Sequence, residues 1–409
     1  MYIETTRHNF YSYLRQTGEI LPGIVADDDY VWKFDPNKPF TTMPEVDMFI
    51  LGITEQCNLR CKYCCYSGEY RSNRTHGNQY MSKNDIEGIY DFIDKMTSIR
   101  PLHIAFYGGE PLTQYALVQY AIIKAEERWS KDVLFSITTN ATLLSVERID
   151  WLIAHHVKLE ISIDGTAKFH DRNRIDHTGN GSFCRMYQAL SYIVNEHKDY
   201  LPNIQLLMTL PSVEDLPDIA EEWQSDHVLR QLTPSHITGL APNFSKGVAK
   251  KEYETLKAQY LTLLDVCERH QDWSVLKAYF DECIAYWKDR PIVDAGTSVP
   301  MSTCMPRNTK LFIDANKQIA VCEKISDSYR IGNVQDGIDW AKANSHVSNY
   351  YNKRVQRCSH CPAIRVCDLC LTAIEFNDEQ WDVLCHNERV YAQLYMMLFC
   401  EMAERRMIA

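Results

Sequence analysis

Cys57, Cys61 and Cys64 stand as C-x3-C-x2-C in GITEQCNLRCKYCCYSG, directly after the apolar run MFILGI (Met48 to Ile53). Thiolates are soft ligands, and three on one loop can bind three irons of a [4Fe–4S] cube. The fourth iron then has no protein ligand and is free to bind something else. Two plainer readings compete: a zinc site, or ordinary buried thiols. A structural zinc takes four ligands, and Cys65, adjacent to Cys64, is poorly placed to be the fourth. Cys65 suits a small buried position instead.

Other residues with chemical potential follow apolar runs in the same way. Gly108-Gly109-Glu110-Pro111-Leu112 comes after LHIAFY. Glycines let a backbone approach a ligand closely, and carbonyls or a carboxylate can accept from an ammonium group. Alone, a Gly-Gly turn after a strand is commonplace. Ser162-Ile163-Asp164-Gly165 ends a further run, followed by His170-Asp171 and Gly179-x-Gly181-Ser182-Phe183. A second cysteine set comprises Cys304, Cys322, Cys358-x2-Cys361-x5-Cys367-x2-Cys370 and Cys385. The middle four, in isolation, read as a zinc knuckle. Seven thiols are too many for one zinc ion.

Elements must position these groups. The candidate strands are MFILGIT (48–54), LHIAFY (102–107), VLFSIT (133–138), VKLEISI (157–163), IQLLMTL (204–210) and HITGL (236–240), with charged, helix-periodic segments between them. Repeated strand-then-helix order implies a parallel sheet with helices outside. Functional residues of a (β/α) barrel collect at the C-terminal ends of its strands, where the cysteines, Gly108-Gly109-Glu110, Thr139-Asn140 and Asp164-Gly165 all fall. Six strands are too few for a closed eight-stranded barrel, so the expectation is an α/β fold, a partial (β/α)6 TIM barrel. KEYETLKAQYLTLLDVCERH and VLKAYFDECIAYWKD read as a helical bridge, and KLFIDANKQIAVCEK as a β-hairpin turning at Asp314 to Lys317. The expected division is 1–47 as an N-terminal extension with aromatic alternation in YVWKF, 48–240 as the partial barrel, 241–300 as the bridge, and 301–409 as a cysteine-rich domain.

The bulk numbers bound the partners. With 409 residues, 45% hydrophobic and 24% charged, the chain is an ordinary globular protein with room for more than one domain. A formal net charge of −11 argues against nucleic acid or an anionic membrane as a general partner. The N-terminal stretch is polar and broken, unlike a signal peptide, and no apolar run reaches the ~18 residues of a membrane span. The expected location is the cytoplasm. Disulfides are disfavoured there, so fifteen cysteines point first to metal binding.

The motif Cys57-x3-Cys61-x-Tyr63-Cys64, with an aromatic residue before the last thiol, resembles that of the radical S-adenosylmethionine (SAM) superfamily. The resemblance implies a SAM-binding [4Fe–4S] cluster on Cys57, Cys61 and Cys64, beside Tyr63. It gives Gly108, Gly109 and Glu110 the amino group of SAM, and Ser162 and Arg185 its carboxylate. The C-terminal cysteines, with KLFIDANKQIAVC and YRIGNV, resemble the SPASM extension, which holds two auxiliary [4Fe–4S] clusters. Carried over, Cys304, Cys322 and Cys370 would bind the first and Cys358, Cys361, Cys367 and Cys385 the second, giving three clusters in all. The last cysteine pair is spaced x2 where the family more often has x3, and Asn316 replaces the usual glycine of the hairpin turn.

Sulfatase-maturing members of that family have an eighth cysteine shortly after the position of Cys304, yet MPRNTKLFIDANKQIAV contains none. They also have an aspartate base after the position of Cys322, where this chain has Glu323. Glu323 could do similar work, but a surface charge is the plainer expectation. By resemblance the substrate is a ribosomally synthesised precursor peptide, crosslinked through a cysteine thioether, with flavodoxin or ferredoxin as electron donor. The alternatives are a carbon–carbon or carbon–oxygen crosslink, anaerobic sulfatase maturation, or a non-catalytic iron–sulfur or zinc protein. Cys283 is the main internal competitor for an open auxiliary iron, although a core thiol is its plainer role. The roughly 47 residues before the first barrel strand are too few for an independent leader-recognition domain of about a hundred residues.

Overall fold

In a computed structural model of the chain, residues 1–25, 46–70, 72–239, 249–290, 292 and 310–408 are described. YVWKF, residues 291 and 293–300 at the end of the expected bridge, and Cys304 lie outside them. The chain forms two compact units. The sheet unit is built from Phe40–Ser245 and Met305–Ala343; the helical unit comprises Met1–Pro39, Lys246–Cys304 and Asn344–Ala409.

The N-terminal segment, read from the sequence only as an extension, forms a three-stranded antiparallel sheet: β1 (Tyr2–Glu4), β2 (Phe10–Tyr13) and β3 (Ile20–Pro22). The six expected barrel strands are all present: β4 (Met48–Thr54), β5 (Leu102–Gly108), β6 (Val133–Thr139), β7 (Lys158–Ser162), β8 (Ile204–Leu210) and β9 (Pro234–Gly239). They pair in parallel and in sequence order. β10 (Lys310–Ile313) adds a seventh parallel strand beside β4. β11 (Gln318–Ala320), β12 (Arg330–Asn333) and β13 (Gly337–Ile338) continue the sheet antiparallel, giving ten strands. The sheet is open at both edges in this order and does not close into a barrel.

Both strand faces are covered. β4 is buried on alternate and intervening residues alike, as a parallel strand with helices outside requires. Helix α1 (Lys83–Met96) starts at a capping box between Ser82 and Asp85, and its Ile86, Ile89, Tyr90 and Ile93 stripe faces the sheet. α2 (Tyr115–Trp129), α3 (Val146–Ala154), α4 (Ala167–His170), α5 (Phe183–Glu196) and α6 (Leu216–Ser225) fill the later crossovers. The expected hairpin turn forms at residues 314–317. There Asp314 Oδ1 accepts from the amides of Asn316 and Gln318, both at 2.8 Å, and Lys317 takes φ +62°.

In the helical unit, α7 (Tyr253–Arg269) and α8 (Ser274–Lys288) are the bridge helices foreseen in the sequence. They pack with α10 (Asp378–Glu404); α9 (Trp340–Cys358) leads into the cysteine-rich segment. Cys283 is a core thiol here, held between the Tyr279 and Tyr395 hydroxyls and pushed up to about 12 by burial. Among the described residues no helix is long and apolar enough to cross a membrane.

Candidate functional site

The C-terminal ends of β4 to β9 open on a cavity of about 500 Å³. Cys57, Cys61 and Cys64 line it, together with Gly108, Gly109, Glu110, Ser162 and Tyr63. The cysteine loop is stitched in place by backbone bonds from Arg60 N to Ile175 O (2.6 Å) and from Lys62 N to Asn173 O (3.0 Å). Each outer thiol already receives hydrogen bonds. Leu59 N reaches Cys57 Sγ at 3.4 Å, and Asn140 Nδ2 lies 3.9 Å from the same sulfur. Tyr66 N reaches Cys64 Sγ at 3.4 Å, with His76 Nε2 at 3.6 Å.

Burial pushes Cys57 up to about 12 and Cys61 up to about 11. Cys64 is held below the usual thiol range by the Cys65 thiol and then His76, against the effect of burial. Metal binding would replace the protons of the first two. Among the described residues no three His, Cys, Asp or Glu side chains meet closely enough for a single ion. The three thiols instead line a cavity wall, and soft sulfur donors around a volume fit a cluster of irons. Cys57, Cys61 and Cys64 are therefore the residues that could hold one.

The Gly108–Gly109 turn makes a close approach, but to protein. A Cβ at Gly108, whose φ is +147°, would sit 2.3 Å from the Thr54 carbonyl oxygen, and one at Gly109 would sit 2.2 Å from that of Gln56. Amides 109 and 110 donate to those same carbonyls, each at 2.8 Å. The glycines thus lock the β5 exit onto the start of the cysteine loop. Glu110 is 1% exposed, and its carboxylate accepts from Leu112 N (3.1 Å), Thr139 Oγ1 (2.7 Å) and Asn140 N (2.8 Å). Burial raises it to about 7 despite these bonds. Its carboxylate braces the β5 and β6 ends, which leaves the turn's backbone as the part of the motif open to a ligand's ammonium group.

Tyr63 is pinned on one side by a hydrogen bond to Asp164 and on the other by the Arg174 guanidinium, 5.5 Å from its ring centre. Arg174 Nε pairs with the fully buried Asp164 at 3.0 Å, and Asp164 Oδ1 accepts from Thr209 N at 3.0 Å. His170 and Ser182, noted in the sequence, brace this pair: Ser182 Oγ contacts His170 Nε2 at 3.0 Å and donates to Arg174 O at 2.7 Å. Arg174 lines the cavity alongside Ser162. Arg185 does not share that setting. Its guanidinium is 45% exposed, 3.7 Å from Asp176, because the first turn of α5 directs it outward. The arginine lining the cavity is Arg174, which carries no motif although it lies only four residues beyond His170.

The surface-charge expectation for Glu323 is corrected. Its side chain is 13% exposed and lies in the cavity wall, 3.5 Å from Lys310 Nζ. Burial opposes its ionisation, but Lys310 and Lys324 together hold its carboxyl below the usual range. Residues 321–323 leave β11 at the mouth of the parallel strands, and this turns the side chain inward. Both lysines also line the cavity and were missed in the sequence.

The remaining cysteines divide between the units. Cys322 belongs to the sheet unit and Cys370 to the helical unit, so the Cys304, Cys322 and Cys370 set stands on the sequence alone. Cys358 ends α9, Cys385 lies on α10, and Cys361 and Cys367 lie on the segment joining the two helices. That segment is tied to the N-terminal strands. Arg15 Nη1 donates to His360 O and Arg365 Nε to Arg15 O, both at 2.9 Å.

Comparison with known proteins gives this arrangement a family context. Residues 51–222 match the radical SAM superfamily domain. The chain is 22% identical over 386 residues to the radical SAM cyclopropyl synthase TigE of Paramaledivibacter caminithermalis, covering 89% of this chain and 75% of that protein. It is 23% identical over 372 residues to a cysteine-type anaerobic sulfatase-maturating enzyme of Clostridium novyi, covering 87% and 95%. The fold is similar to that of anSMEcpe with bound AdoMet, with a TM-score of 0.64 and 17% identity over 89% of this chain and 98% of that one. A second structure of anSMEcpe, with AdoMet and the Cp18Cys peptide, gives 0.58 at 17% identity and the same coverage.

Proposed function

We propose that this chain, which belongs to the radical SAM superfamily, is a maturase that installs a crosslink in a ribosomally made peptide, through a cysteine thioether. The observation that carries this reading is a single cavity that holds three thiols, the Gly108–Gly109 turn, Ser162 and Arg174 at one end of parallel strands. Bound on Cys57, Cys61 and Cys64, a [4Fe–4S] cluster with SAM would supply a 5′-deoxyadenosyl radical on reduction, and with it hydrogen-atom abstraction from carbon.

The residues then divide the work. Carbonyls of the 108–109 turn would accept from the SAM ammonium, while Ser162 and Arg174 would hold its carboxylate, a pairing of hydroxyl and guanidinium suited to that anion. Tyr63, fixed between Asp164 and Arg174, forms a rigid aromatic wall beside the third thiol. Glu323, ionised beside Lys310 and Lys324, can accept a proton from the substrate. The charged wall it forms with the two lysines suits a polar peptide segment better than an apolar small molecule.

Thioether chemistry is favoured by the sequence between Cys304 and Cys322, which holds no further cysteine and leaves that auxiliary set short of one thiol. A peptide thiolate would complete it and place sulfur close to the reacting carbon. The peptide complex of anSMEcpe supports a peptide as substrate. The relationship to a cyclopropyl synthase favours a second reading, carbon–carbon bond formation. Incubation with dithionite, SAM and a cysteine-containing precursor peptide separates the two. A product lighter by two hydrogen atoms with one fewer alkylatable thiol supports the thioether; the same mass loss with every thiol retained supports the carbon–carbon bond.

A further inference from the structure

Arg354 lies on α9 one helical turn before Cys358, and its residue is 2% exposed. Its Nη1 meets the Tyr350 hydroxyl at 3.3 Å, and its guanidinium carbon stands 5.5 Å from the centre of that ring. The hydroxyl itself is committed to Leu369 O at 2.5 Å. Among the described residues Nη2 is buried and meets no nitrogen or oxygen acceptor, while the Cys358 sulfur lies within the hydrogen-bonding reach of the guanidinium. Among the described residues no carboxylate pairs with this guanidinium. The side chains that feel its charge are Tyr350 and four thiols: Cys358, Cys361, Cys367 and Cys385.

A guanidinium does not shed its proton in a protein, so a buried one needs a counter-charge. Four neutral thiols give it none. Four thiolates on a metal centre carry net negative charge, which the buried guanidinium beside Cys358 would balance.

We propose that Arg354 is the fixed counter-ion of an anionic iron–sulfur cluster held by Cys358, Cys361, Cys367 and Cys385. It acts by position, stabilising the extra electron of the reduced cluster and thereby raising its potential. This rests on the reading of the chain as an enzyme with auxiliary clusters. It adds a role for a residue outside the cysteine motifs and gives the site a charge requirement. Zinc on four thiolates would satisfy the same charge, so metal identity is part of the test.

The test compares full-length wild type, Arg354→Met and Arg354→Lys after anaerobic reconstitution. Readouts are iron and zinc content, an EPR-monitored redox titration, and thermal melts with and without metal. In Arg354→Met, one auxiliary EPR signal should shift to a more negative midpoint potential while the others stay in place, and Arg354→Lys should lie close to wild type. Without metal, Arg354→Met should melt at or above the wild-type temperature, because an unpaired buried charge has been removed. If Arg354→Met cannot assemble the cluster, recovery of the iron in Arg354→Lys supports the charge role. An unchanged potential in Arg354→Met, or equal failure of both variants, overturns it. A separate failure identifies the underlying reading. If replacing all four cysteines by alanine removes no iron, or if the four thiols hold zinc, the auxiliary cluster itself is absent.

Discussion

The loop after β4 and the segment between α9 and α10 both gather cysteines but surround them with different charges. Around Cys57 and Cys64 the donors are two backbone amides, Asn140 and His76, and the guanidinium beside Cys61, that of Arg174, is already paired with Asp164. Around Cys358 and its three companions a buried guanidinium does the corresponding work. The first site supplies three thiols and opens into a cavity of about 500 Å³; the second, as proposed, would supply four beside Arg354. An open corner whose buried guanidinium is offset by a carboxylate suits a cluster that binds a ligand and must reach a strongly reducing state. A closed set of thiolates beside a fixed positive charge suits one that accepts an electron more readily.

The contrast breaks most visibly if the two sites can substitute for each other. Replacing Cys358, Cys361, Cys367 and Cys385 by alanine should abolish crosslinked peptide while 5′-deoxyadenosine is still released, because SAM cleavage belongs to the other site. Parallel assays of peptide product and 5′-deoxyadenosine check this, and loss of both together would join the two sites into one function.

Arg174 is the guanidinium of the first site, and it differs from Arg354 in having a carboxylate partner. Arg174→Leu leaves the fully buried Asp164 unpaired, a change expected to cost about 3–5 kcal/mol of stability. SAM binding should weaken with it. Arg185→Ala should leave SAM affinity within about threefold of wild type, since its group is exposed and paired only at 3.7 Å. Equilibrium unfolding and SAM binding measured on both variants rank the two arginines directly.

Glu110 gives the first site a pH signature. Its folded value is raised from 4.5 to about 7 by burial. Stability from the protonated form is therefore fully present below about 4.5 and is lost as pH rises through about 7. The loss is on the order of 3 kcal/mol if the whole shift is expressed. The apo chain should lose stability over that window, and Glu110→Gln should flatten the slope. A wild-type profile that rises through the same window would reverse the sign and remove burial as the cause.

The smallest expected effect is at His76. His76→Leu removes a single ring contact at 3.6 Å from Cys64 and should move the potential of the SAM-binding cluster by less than Arg354→Met moves its own. EPR-monitored titration of both variants makes the comparison.

Much of the sheet unit was legible because its information is local. Apolar runs alternate with helical stripes, and each strand ends on a polar group, so β4 to β9 and the mouth of the site follow from the order alone. The pairing of β10 with β4 was not legible, since some 250 residues separate them in the chain and no local pattern records the contact. The same distance hid Lys310 and Lys324 and the inward direction of Glu323, which depend on where β10 and β11 join the sheet. Arg185 illustrates the opposite failure: its spacing matched a motif, but the helix points it to solvent. Arg174 and Arg354 carry no motif, and their burial is visible only once the helices around them are in place. The pairs that pin the N-terminal strands to the cysteine-rich segment, Arg15 with His360 and Arg365 with Arg15, were invisible for the same reason.

The central claim is that Cys57, Cys61 and Cys64 alone make the SAM-cleaving site. The direct measurement is 5′-deoxyadenosine release with dithionite and SAM, alongside iron content, in wild type and in the variant with those three cysteines replaced by alanine. The account predicts release by wild type holding about twelve irons, and none by the variant, which retains about eight. Continued SAM cleavage by the variant, or a wild-type protein that holds stoichiometric zinc and no iron, would contradict it.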